Sequence, residues 1–446
     1  MKKIVILLID MLIASPCFGE GYQVNTLSTR QLGMAHTGTA LKLGAESMNF
    51  NPGSMAFLDK TLDFSAGITA ISPKASAELD GMQYRSKSSI NTPFYFYGAF
   101  SITNNIKGGL AFTTPYGSSI NWGENWPGAI LNQKISLKTY SFQPSISWRI
   151  IPRLGIGAGL MITWGEVDLN KGLVTASSMD YLLQAMGVSY QFNETTPASV
   201  NLKGKSSVRL GVNAGIHYDI NDWISIGVAF KSKITAKVKS GDASVTYANQ
   251  LAQQMLESSV GLINKANFAA QMPLPYVLSF GISAKPINKL TLAFDAQLTW
   301  WKDYDVLAIE FNDTQLKGLN QYLPKKYSNS WAFRLGTQIS LTPRFDLRCG
   351  IYYDNTPVNK KYYNPETPGM DKISPCCGFS FRPLASLSID FALSYIAGLK
   401  EKNASYTYEN LIYKYIPSLG QPTETTFTAD YSAHALCASI GISYKF

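Results

Sequence analysis

Apolar and polar residues alternate with a period of two through the greater part of this chain. In residues 209–219, Leu210, Val212 and Ile216 occupy one set of positions, and small or polar residues such as Asn213 occupy the other. Alternation of this kind predicts β-strands that are apolar on one face.

Fourteen segments carry the pattern, and we therefore predict about 14 strands. An even number is expected of a single-chain outer-membrane barrel. The segments are residues 61–71, 92–103, 106–117, 136–150, 154–168, 206–220, 223–238, 275–285, 290–301, 330–341, 344–354, 376–382, 386–397 and 433–446.

The connections between these segments alternate in length. The short ones are residues 104–105, 152–153, 221–222, 286–288, 342–343 and 383–384, and the long ones are residues 72–91, 118–135, 169–205, 240–274, 302–329, 355–375 and 398–432. Short turns on one side and long loops on the other are the rule for outer-membrane barrels. Within one long connection, residues 249–263 predict a short amphipathic helix that covers the barrel mouth or lies at the membrane interface.

The polar face indicates what surrounds the strands. A water-soluble β-sandwich alternates in the same way, but its polar face would be rich in Lys and Glu, whereas here Gly, Ala, Ser and Asn dominate. That composition suits a filled lumen with the apolar face toward lipid. We predict an all-β fold: an up-and-down antiparallel transmembrane β-barrel of about 14 strands with an N-terminal hatch, or plug, inside the lumen.

The two ends of the chain extend this prediction. Two lysines precede an apolar run at residues 4–13, which predicts a signal peptide over residues 1–19 with cleavage after Gly19. The hatch then covers residues 20–60, and the barrel with long extracellular loops covers residues 61–446. Tyr444 and Phe446 lie on the apolar face of the last strand, which resembles the assembly signal of outer-membrane proteins; an amphipathic final strand without such a role is the alternative.

The segment at residues 20–58 follows neither the helical nor the strand period and is rich in Gly and Ala. Asn51, Pro52 and Gly53 predict a turn, because Pro52 fixes φ and Gly53 permits a positive φ. We interpret the segment as the plug of the barrel. An unstructured leader is the alternative, although its many apolar residues are unusual in a disordered tail.

Composition and charge exclude several classes of function. The formal net charge is +9, with 46% hydrophobic and 15% charged residues, but no run of Lys and Arg exists. Nucleic acid is therefore a poor partner, whereas a basic surface suits lipopolysaccharide phosphates. None of the three histidines, His36, His217 and His434, lies in a nucleophile motif, so we expect no catalytic residue and no enzyme.

The cysteines predict neither a metal site nor a cofactor. After the leader the chain keeps Cys349, Cys376, Cys377 and Cys437, and no Cys/His spacing typical of a metal site is present. A bond between the adjacent Cys376 and Cys377 would be strained. We interpret all four as small apolar or lumen residues.

Several motifs carry a resemblance to a known family. Residues 20–25 (EGYQVN), 32–35 (LGMA) and 38–40 (GTA), followed by the Asn-Pro-Gly turn, are similar to the N-terminal hatch of the FadL-type long-chain fatty-acid channels of bacterial outer membranes, a family that includes aromatic-hydrocarbon channels. The family has Asn-Pro-Ala where this chain has Gly53. Residues 112–117 (FTTPYG) resemble the family's third strand, which is kinked inward and opens a gap in the barrel wall.

The resemblance implies a function and a set of site residues. Pro115, Tyr116 and Gly117 would mark the lateral opening, and Tyr22 would contact ligand inside the barrel, where its hydroxyl could also bind a carboxylate. Packing of the plug against the wall is the alternative role for Tyr22. By strand parity the lumen also receives basic residues, of which one or two would bind a carboxylate head group, unless they form ion pairs that anchor the plug; they include Arg149, Arg209, Lys231, Arg334 and Arg348.

We therefore expect passive uptake of a hydrophobic molecule, such as a long-chain fatty acid, across the outer membrane of a Gram-negative bacterium. The steps would be extracellular capture, binding in a pocket beside the plug, and lateral exit at the third strand. The expected partners are the solute, outer-membrane lipid and lipopolysaccharide, and the barrel assembly machinery, with the protein as a monomer. An adhesin or receptor barrel and a polar-solute porin are the rival classes. Aromatic residues of the predicted outer loops, such as Trp122, Trp126 and Tyr363, would form a membrane girdle or an apolar entrance groove.

Overall fold

The computed structural model describes residues 21–261 and 264–446, and it confirms the predicted barrel. Within these ranges, fourteen antiparallel strands form one closed sheet, and eight of them are interrupted and run in two segments. They are β1 (Leu62–Leu79), β2 (Met82–Arg85 and Phe94–Ser101), β3 (Ile106–Thr113 and Gly117–Asn121), β4 (Lys134–Ile151), β5 (Leu154–Val174), β6 (Ala198–Lys205 and Arg209–Asp219), β7 (Ile224–Lys231 and Ile234–Tyr247), β8 (Lys265–Leu274 and Val277–Ile287), β9 (Leu290–Thr299 and Val306–Phe311), β10 (Gln321–Pro324 and Ser330–Thr342), β11 (Phe345–Asp354), β12 (Lys372–Leu384), β13 (Leu387–Gly398 and Glu401–Glu409) and β14 (Glu424–Lys445).

Each strand pairs with its neighbours in sequence, and β1 pairs with β14 to close the ring. This seam runs without a register shift from Asp63 opposite Lys445 to Glu78 opposite Asp430. The backbones of Leu62 and the terminal Phe446 also exchange two hydrogen bonds of 2.9 Å each. The part of β14 from Asp430 to Lys445 therefore closes the barrel.

The predicted alternation corresponds to an outer and an inner face. On β14, Leu436, Ile440 and Ile442 are about half exposed, whereas the intervening Cys437 and Ser439 are buried. Large apolar side chains exposed at every second position are unfavourable in water but suit contact with lipid. Tyr444 lies on the same outer face.

The short turns lie where the sequence predicts them, but the long loops were predicted too long. β5 continues to Val174 instead of ending at residue 168, and β7 continues to Tyr247 instead of residue 238. The predicted loop at residues 398–432 likewise contains the strand segment Glu401–Glu409. Past the lipid the strands still pair, but neither face has to be apolar, so the alternation that identifies them disappears.

Helices pack together above the strands at the long-loop end. The predicted helix is present as α4 (Gln250–Val260), where Asn249 caps the first turn by accepting a 2.9 Å bond from the backbone nitrogen of Ala252. The last two residues of the prediction lie outside the described residues. Two helices that were not predicted, α3 (Ala176–Ala185) and α5 (Leu411–Tyr415), join α4 in one apolar cluster. In the described ranges, no helix is both long and apolar enough to cross a membrane.

Trp122, Trp126 and Tyr363 of the outer loops are buried, contrary to the prediction that they are exposed. Trp122 and Trp126 stack with ring centroids 4.6 Å apart, and Tyr363 stacks on Tyr431 at 4.5 Å. All four side chains are buried in a core that the extended strands and loops share. They are structural residues of the extracellular half.

Residues 21–58 fill the lumen at the short-turn end in a series of short helical turns, the arrangement expected of a plug. These turns are α1 (Thr29–Leu32), α2 (Ser47–Phe50) and the 3-10 turns Gly44–Glu46 and Pro52–Phe57. Elsewhere in the described residues, 3-10 turns span Trp301–Asp303, Thr314–Leu319, Lys360–Tyr362 and Pro417–Leu419. Most plug side chains are buried, which the leader alternative does not explain. The predicted signal peptide lies outside the described residues.

The Asn-Pro-Gly turn anchors the plug to the barrel wall. The Asn51 amide donates to the carbonyls of Thr39 (2.7 Å) and Ile216 (2.9 Å), and its oxygen accepts from the backbone of Gly53 (3.0 Å). Gly53 does not use the positive φ that glycine permits, because it is not among the residues with positive φ. Glycine is required for space: a Cβ there would lie 2.7 Å from the carbonyl oxygen of Gly215.

Candidate functional site

The third strand is interrupted where the sequence places Pro115. The segment Ile106–Thr113 pairs with both β2 and β4, but Gly117–Asn121 pairs only with β4. Between them, the Pro115 carbonyl accepts a 2.9 Å bond from the backbone nitrogen of Val24, and the nitrogen of Gly117 donates at 2.8 Å to the carbonyl of Tyr22. The start of the plug thus satisfies the backbone groups that β3 withdraws from the wall.

A cavity of about 590 Å³ lies at this interruption. Its lining combines Gly21 and residues 23–26 of the plug with the facing parts of β1 to β4, including Phe94, Tyr116 and Tyr140. The rings of Phe112, Tyr140 and Trp164 stack on the outer face beside it, with centroids 6.0–6.5 Å apart. The cavity therefore joins the lumen to the lipid-facing surface of the wall.

A second, smaller cavity of about 100 Å³ lies above the plug and is almost wholly apolar. Leu202, Val238, Phe268 and Ile309 are among its lining residues. It shares Ser118, Leu137, Thr139 and Thr367 with the wall cavity, so the two spaces adjoin. Apolar walls with few polar groups are typical of sites for hydrophobic ligands.

Tyr22 forms part of the floor of this apolar cavity and is clamped by aromatic residues. Its ring centroid lies 4.7 Å from that of Trp301 and 5.8 Å from that of Tyr304, both in edge-on contact. Its hydroxyl donates to the carbonyl of Pro273. Gly21 has a φ of 60°, and a Cβ there would lie 2.8 Å from the Trp301 ring, so only glycine fits beside this clamp.

The aromatic clamp stays uncharged. Tyr327 also belongs to this cluster, since its ring packs edge-on against that of Tyr304. Burial raises the pKa of the Tyr304 and Tyr327 hydroxyls above the ordinary value, and both residues lie between strand segments. Sequence reasoning missed Trp301, Tyr304 and Tyr327, because the pattern assigned them to a strand end and an exposed loop. The cluster of aromatic residues from Trp300 to Tyr304 was the available signal.

The loop between β11 and β12 contributes a carboxylate, that of Glu366, to the apolar cavity. Glu366 and Thr367 of this loop line the cavity, and the buried Glu366 carboxylate is paired with the ammonium group of Lys325. Nearby, Lys171 donates a 3.0 Å bond to Gln321. Sequence reasoning missed these residues, because the pattern placed them in the long connections at residues 169–205, 302–329 and 355–375.

Two of the predicted lumen cations line a third cavity, of about 70 Å³, between the plug and the wall. Lys231 donates to Asn49 of the plug at 2.9 Å, and Arg334 donates to Gln297 at 3.0 Å. Both therefore lie close to the segment that carries Tyr22. Of the five predicted cations, these two line a cavity beside the plug.

The other three predicted cations do not line any of these cavities. Arg149 bonds to the turn at Asn104 and Asn105 at the short-turn end, and Arg209 lies opposite Thr163 in the ladder of β5 and β6. Arg348 joins a polar network on the inner wall, where it contacts Gln338 at 2.7 Å, Ser380 at 2.5 Å, Asp346 at 3.6 Å and Asp390 at 3.7 Å. Strand parity places a residue on the inner face but does not give its height in the barrel.

Comparison with known proteins assigns the chain to a family. The profile described as "Outer membrane protein transport protein (OMPP1/FadL/TodX)" matches residues 10–446. The chain belongs to the OMPP1/FadL/TodX family. Outer membrane protein P1 of Haemophilus influenzae is 23% identical over 472 residues, covering 98% of this chain and 97% of that protein. A long-chain fatty acid transport protein of Escherichia coli O6:H1 is 22% identical, covering 90% and 93%.

Solved structures of the OMPP1/FadL/TodX family share the fold. A FadL homologue from Pseudomonas aeruginosa superposes with a TM-score of 0.79 at 19% identity, covering 96% of this chain and 100% of that chain. The toluene transporter TodX of Pseudomonas putida gives a TM-score of 0.70 at 14% identity, covering 95% and 99%. Membership places the protein in the outer membrane as a channel for hydrophobic compounds in a non-enzymatic family, which confirms the predicted location and the predicted absence of catalysis.

Proposed function

We propose that the protein takes up long-chain fatty acids by diffusion, through the apolar cavity above Tyr22 and out of the barrel wall at the interrupted third strand. The observation that carries this proposal is the wall cavity at Thr114–Tyr116. It adjoins the apolar cavity on one side and the lipid-facing aromatic residues on the other. A strand immersed in lipid leaves its ladder only where protein or a cavity satisfies its backbone.

The plug favours a lateral exit over an axial one. Asp295 of the wall accepts three hydrogen bonds from the plug, from the backbones of Gly38 (2.8 Å) and Thr39 (2.9 Å) and from the Thr39 hydroxyl (2.7 Å). Together with the contacts of Asn51, these bonds fix the plug below the cavities. A solute that follows the barrel axis would have to displace them all.

The carboxylate of a fatty acid needs a cation, and Lys231 and Arg334 are the proposed partners. Both line the cavity beside the plug segment that carries Tyr22, and Lys231 donates a 2.9 Å bond to the neutral side chain of Asn49. The proposed pose has the alkyl chain in the apolar cavity and the head group below Tyr22. The uncharged double variant Lys231→Met, Arg334→Met should bind palmitate more weakly and a long-chain alcohol unchanged.

The lateral route is tested by blocking the passage between the two cavities. Ser118 lines both, so Ser118→Trp should slow fatty-acid uptake by whole cells. The matched control is Leu110→Trp on the same strand, which places the indole on the lipid-facing surface. Uptake by the Ser118→Trp variant at the rate of the control, at equal barrel yield, would contradict the route.

A neutral aromatic hydrocarbon is the second candidate solute. The lining of the apolar cavity contains no Lys or Arg, and both of its carboxyl residues, Glu166 and Glu366, would repel a carboxylate. Competition of toluene against palmitate on the purified protein distinguishes the two candidates. The hydrocarbon would be favoured if toluene displaces palmitate and if the Lys231 and Arg334 substitutions leave the binding of palmitate unchanged.

A further inference from the structure

The four cysteines in the described part of the chain divide between the two faces of the barrel. Cys376 and Cys437 are buried on the lumen side, whereas Cys349 and Cys377 are exposed on the lipid side. Cys376 and Cys377 are neighbours in sequence, so the alternation of a strand points them to opposite faces. The adjacent pair considered from the sequence is therefore the wrong pair to bond.

Cys349 of β11 and Cys377 of β12 stand directly opposite each other in the ladder. In the same ladder, the backbone nitrogen of Arg382 donates to the carbonyl of Arg344 at 2.8 Å. Hydrogen-bonded and non-hydrogen-bonded pairs alternate in an antiparallel ladder, and Cys349 is five residues from Arg344. The cysteine pair is therefore of the non-hydrogen-bonded kind, in which the Cα atoms lie about 4.5 Å apart and the side chains are closest.

That geometry suits a disulfide, and no other pair of these four cysteines has it. Disulfides join Cα atoms about 4.4–6.8 Å apart. Cys376 and Cys437 each stand opposite Ser394, one on either side of β13. Two strand spacings separate them, roughly 9.5 Å, which is too far for a bond.

We propose that Cys349 and Cys377, which are free thiols in this structure, become a disulfide in the oxidising cell envelope. The reaction is thiol–disulfide exchange with a disulfide-bearing oxidant. Two S–H bonds of the protein and the S–S bond of the oxidant break, the Sγ–Sγ bond forms, and the oxidant leaves as two thiols that carry the two hydrogens. The Sγ atoms are oxidised and the oxidant is reduced.

The bond would fix the base of the hairpin whose loop reaches the apolar cavity. Residues 355–371 connect β11 to β12, and Glu366 and Thr367 of this loop line that cavity. A crosslink between the strands constrains the unfolded chain and pins the register of the hairpin. A one-residue slip in this register would move the side chains of one strand of the hairpin to the opposite face of the sheet.

The experiment alkylates the cells with iodoacetamide before lysis and then maps the peptides of the purified protein without reduction. Trypsin cleaves after Arg348 and Lys372, so the expected product joins the peptide that begins at Cys349 to the peptide that begins at Ile373. The variants Cys349→Ala and Cys376→Ala assign the bond. The joined peptide should be lost in Cys349→Ala and kept in Cys376→Ala.

Alkylation of all four thiols in the native protein, or loss of the joined peptide in Cys376→Ala, would overturn the proposal. A second measurement tests the role of the bond, using protein folded in detergent and oxidised with glutathione disulfide. The transition temperature in heat-modifiability gels should fall on reduction in the native protein and in Cys376→Ala, but not in Cys349→Ala. An unchanged transition on reduction of the native protein would show that the bond does not stabilise the hairpin.

Discussion

At the scale of single residues, Tyr22 links the plug, the ligand cavity and the interrupted strand. Its carbonyl accepts from Gly117, its ring packs on Trp301, and its hydroxyl is already bonded to Pro273. From the sequence, this hydroxyl was expected to be available to bind a carboxylate. In the structure it holds the plug against β8, so the ring is what remains for a ligand.

Truncation of this side chain should weaken ligand binding. Tyr22→Ala removes an apolar surface worth on the order of 2 kcal/mol where ligand covers the ring, which corresponds to about a thirtyfold loss of affinity. Tyr22→Phe keeps the ring and should change the affinities for palmitate and toluene by the same factor. Binding to the purified variants, with folding checked by heat-modifiability, is the measurement; native affinity in a folded Tyr22→Ala protein would place the ligand elsewhere.

At the scale of elements, the interruption of β3 follows from two residues with different roles. Pro115 has no N–H to give to a ladder, and Gly117 donates to the plug while its position leaves little room, since a Cβ would lie 3.2 Å from the carbonyl oxygen of Leu137. The sequence predicted this break from the residue types. It did not predict that the start of the plug would pair with the broken strand.

Restoring a pairing-competent strand should close the wall. In the double variant Pro115→Val, Gly117→Val, β3 gains a donor and two residues that favour strands, so fatty-acid uptake should slow while the yield of folded barrel stays the same. Uptake assays in a deletion strain, normalised to the amount of barrel in the outer membrane, measure the effect. Native uptake by this variant would argue against exit at β3.

The contact between Asp295 and the plug gives a prediction for the hatch itself. Hydrogen bonds to a charged group each contribute about 1.5–3 kcal/mol, and Asp295→Ala removes three of them at once. The plug should loosen and the ion conductance of the channel in planar bilayers should rise. Asp222→Ala, at an exposed turn, is the control; equal conductance in the two variants would show that Asp295 does not hold the plug closed.

At the scale of the whole molecule, the plug and the barrel contribute separately to the barrier against ion flow. The strands close on each other through β1 and β14 without help from the plug. Deletion of residues 20–58 should therefore leave an inserted barrel with a strongly raised conductance. Conductance equal to that of the native protein would mean that this segment does not close the lumen.

The fold was largely predictable because lipid imposes one rule on every strand it surrounds. Side chains such as Leu436 and Ile440 must be apolar at every second position, and this rule ends with the lipid, so the strand ends and the helices above them were partly missed. The site was less predictable, because it depends on the height of each residue along the barrel as well as on the face that strand parity assigns to it. Arg149 and Lys231 both follow the inward pattern, yet only Lys231 lies beside the plug.

The seam between the first and the last strand also sets the order of assembly. Asp63 of β1 pairs with Lys445 of β14, so the ring cannot close until β14 has been made. Contacts so distant in sequence form slowly, since a long loop must close first. Until then the chain has two unpaired sheet edges and an apolar outer face, both prone to aggregation. Closure of the barrel should therefore wait for the fourteenth strand, and the forms that have not yet closed should depend on chaperones in the periplasm.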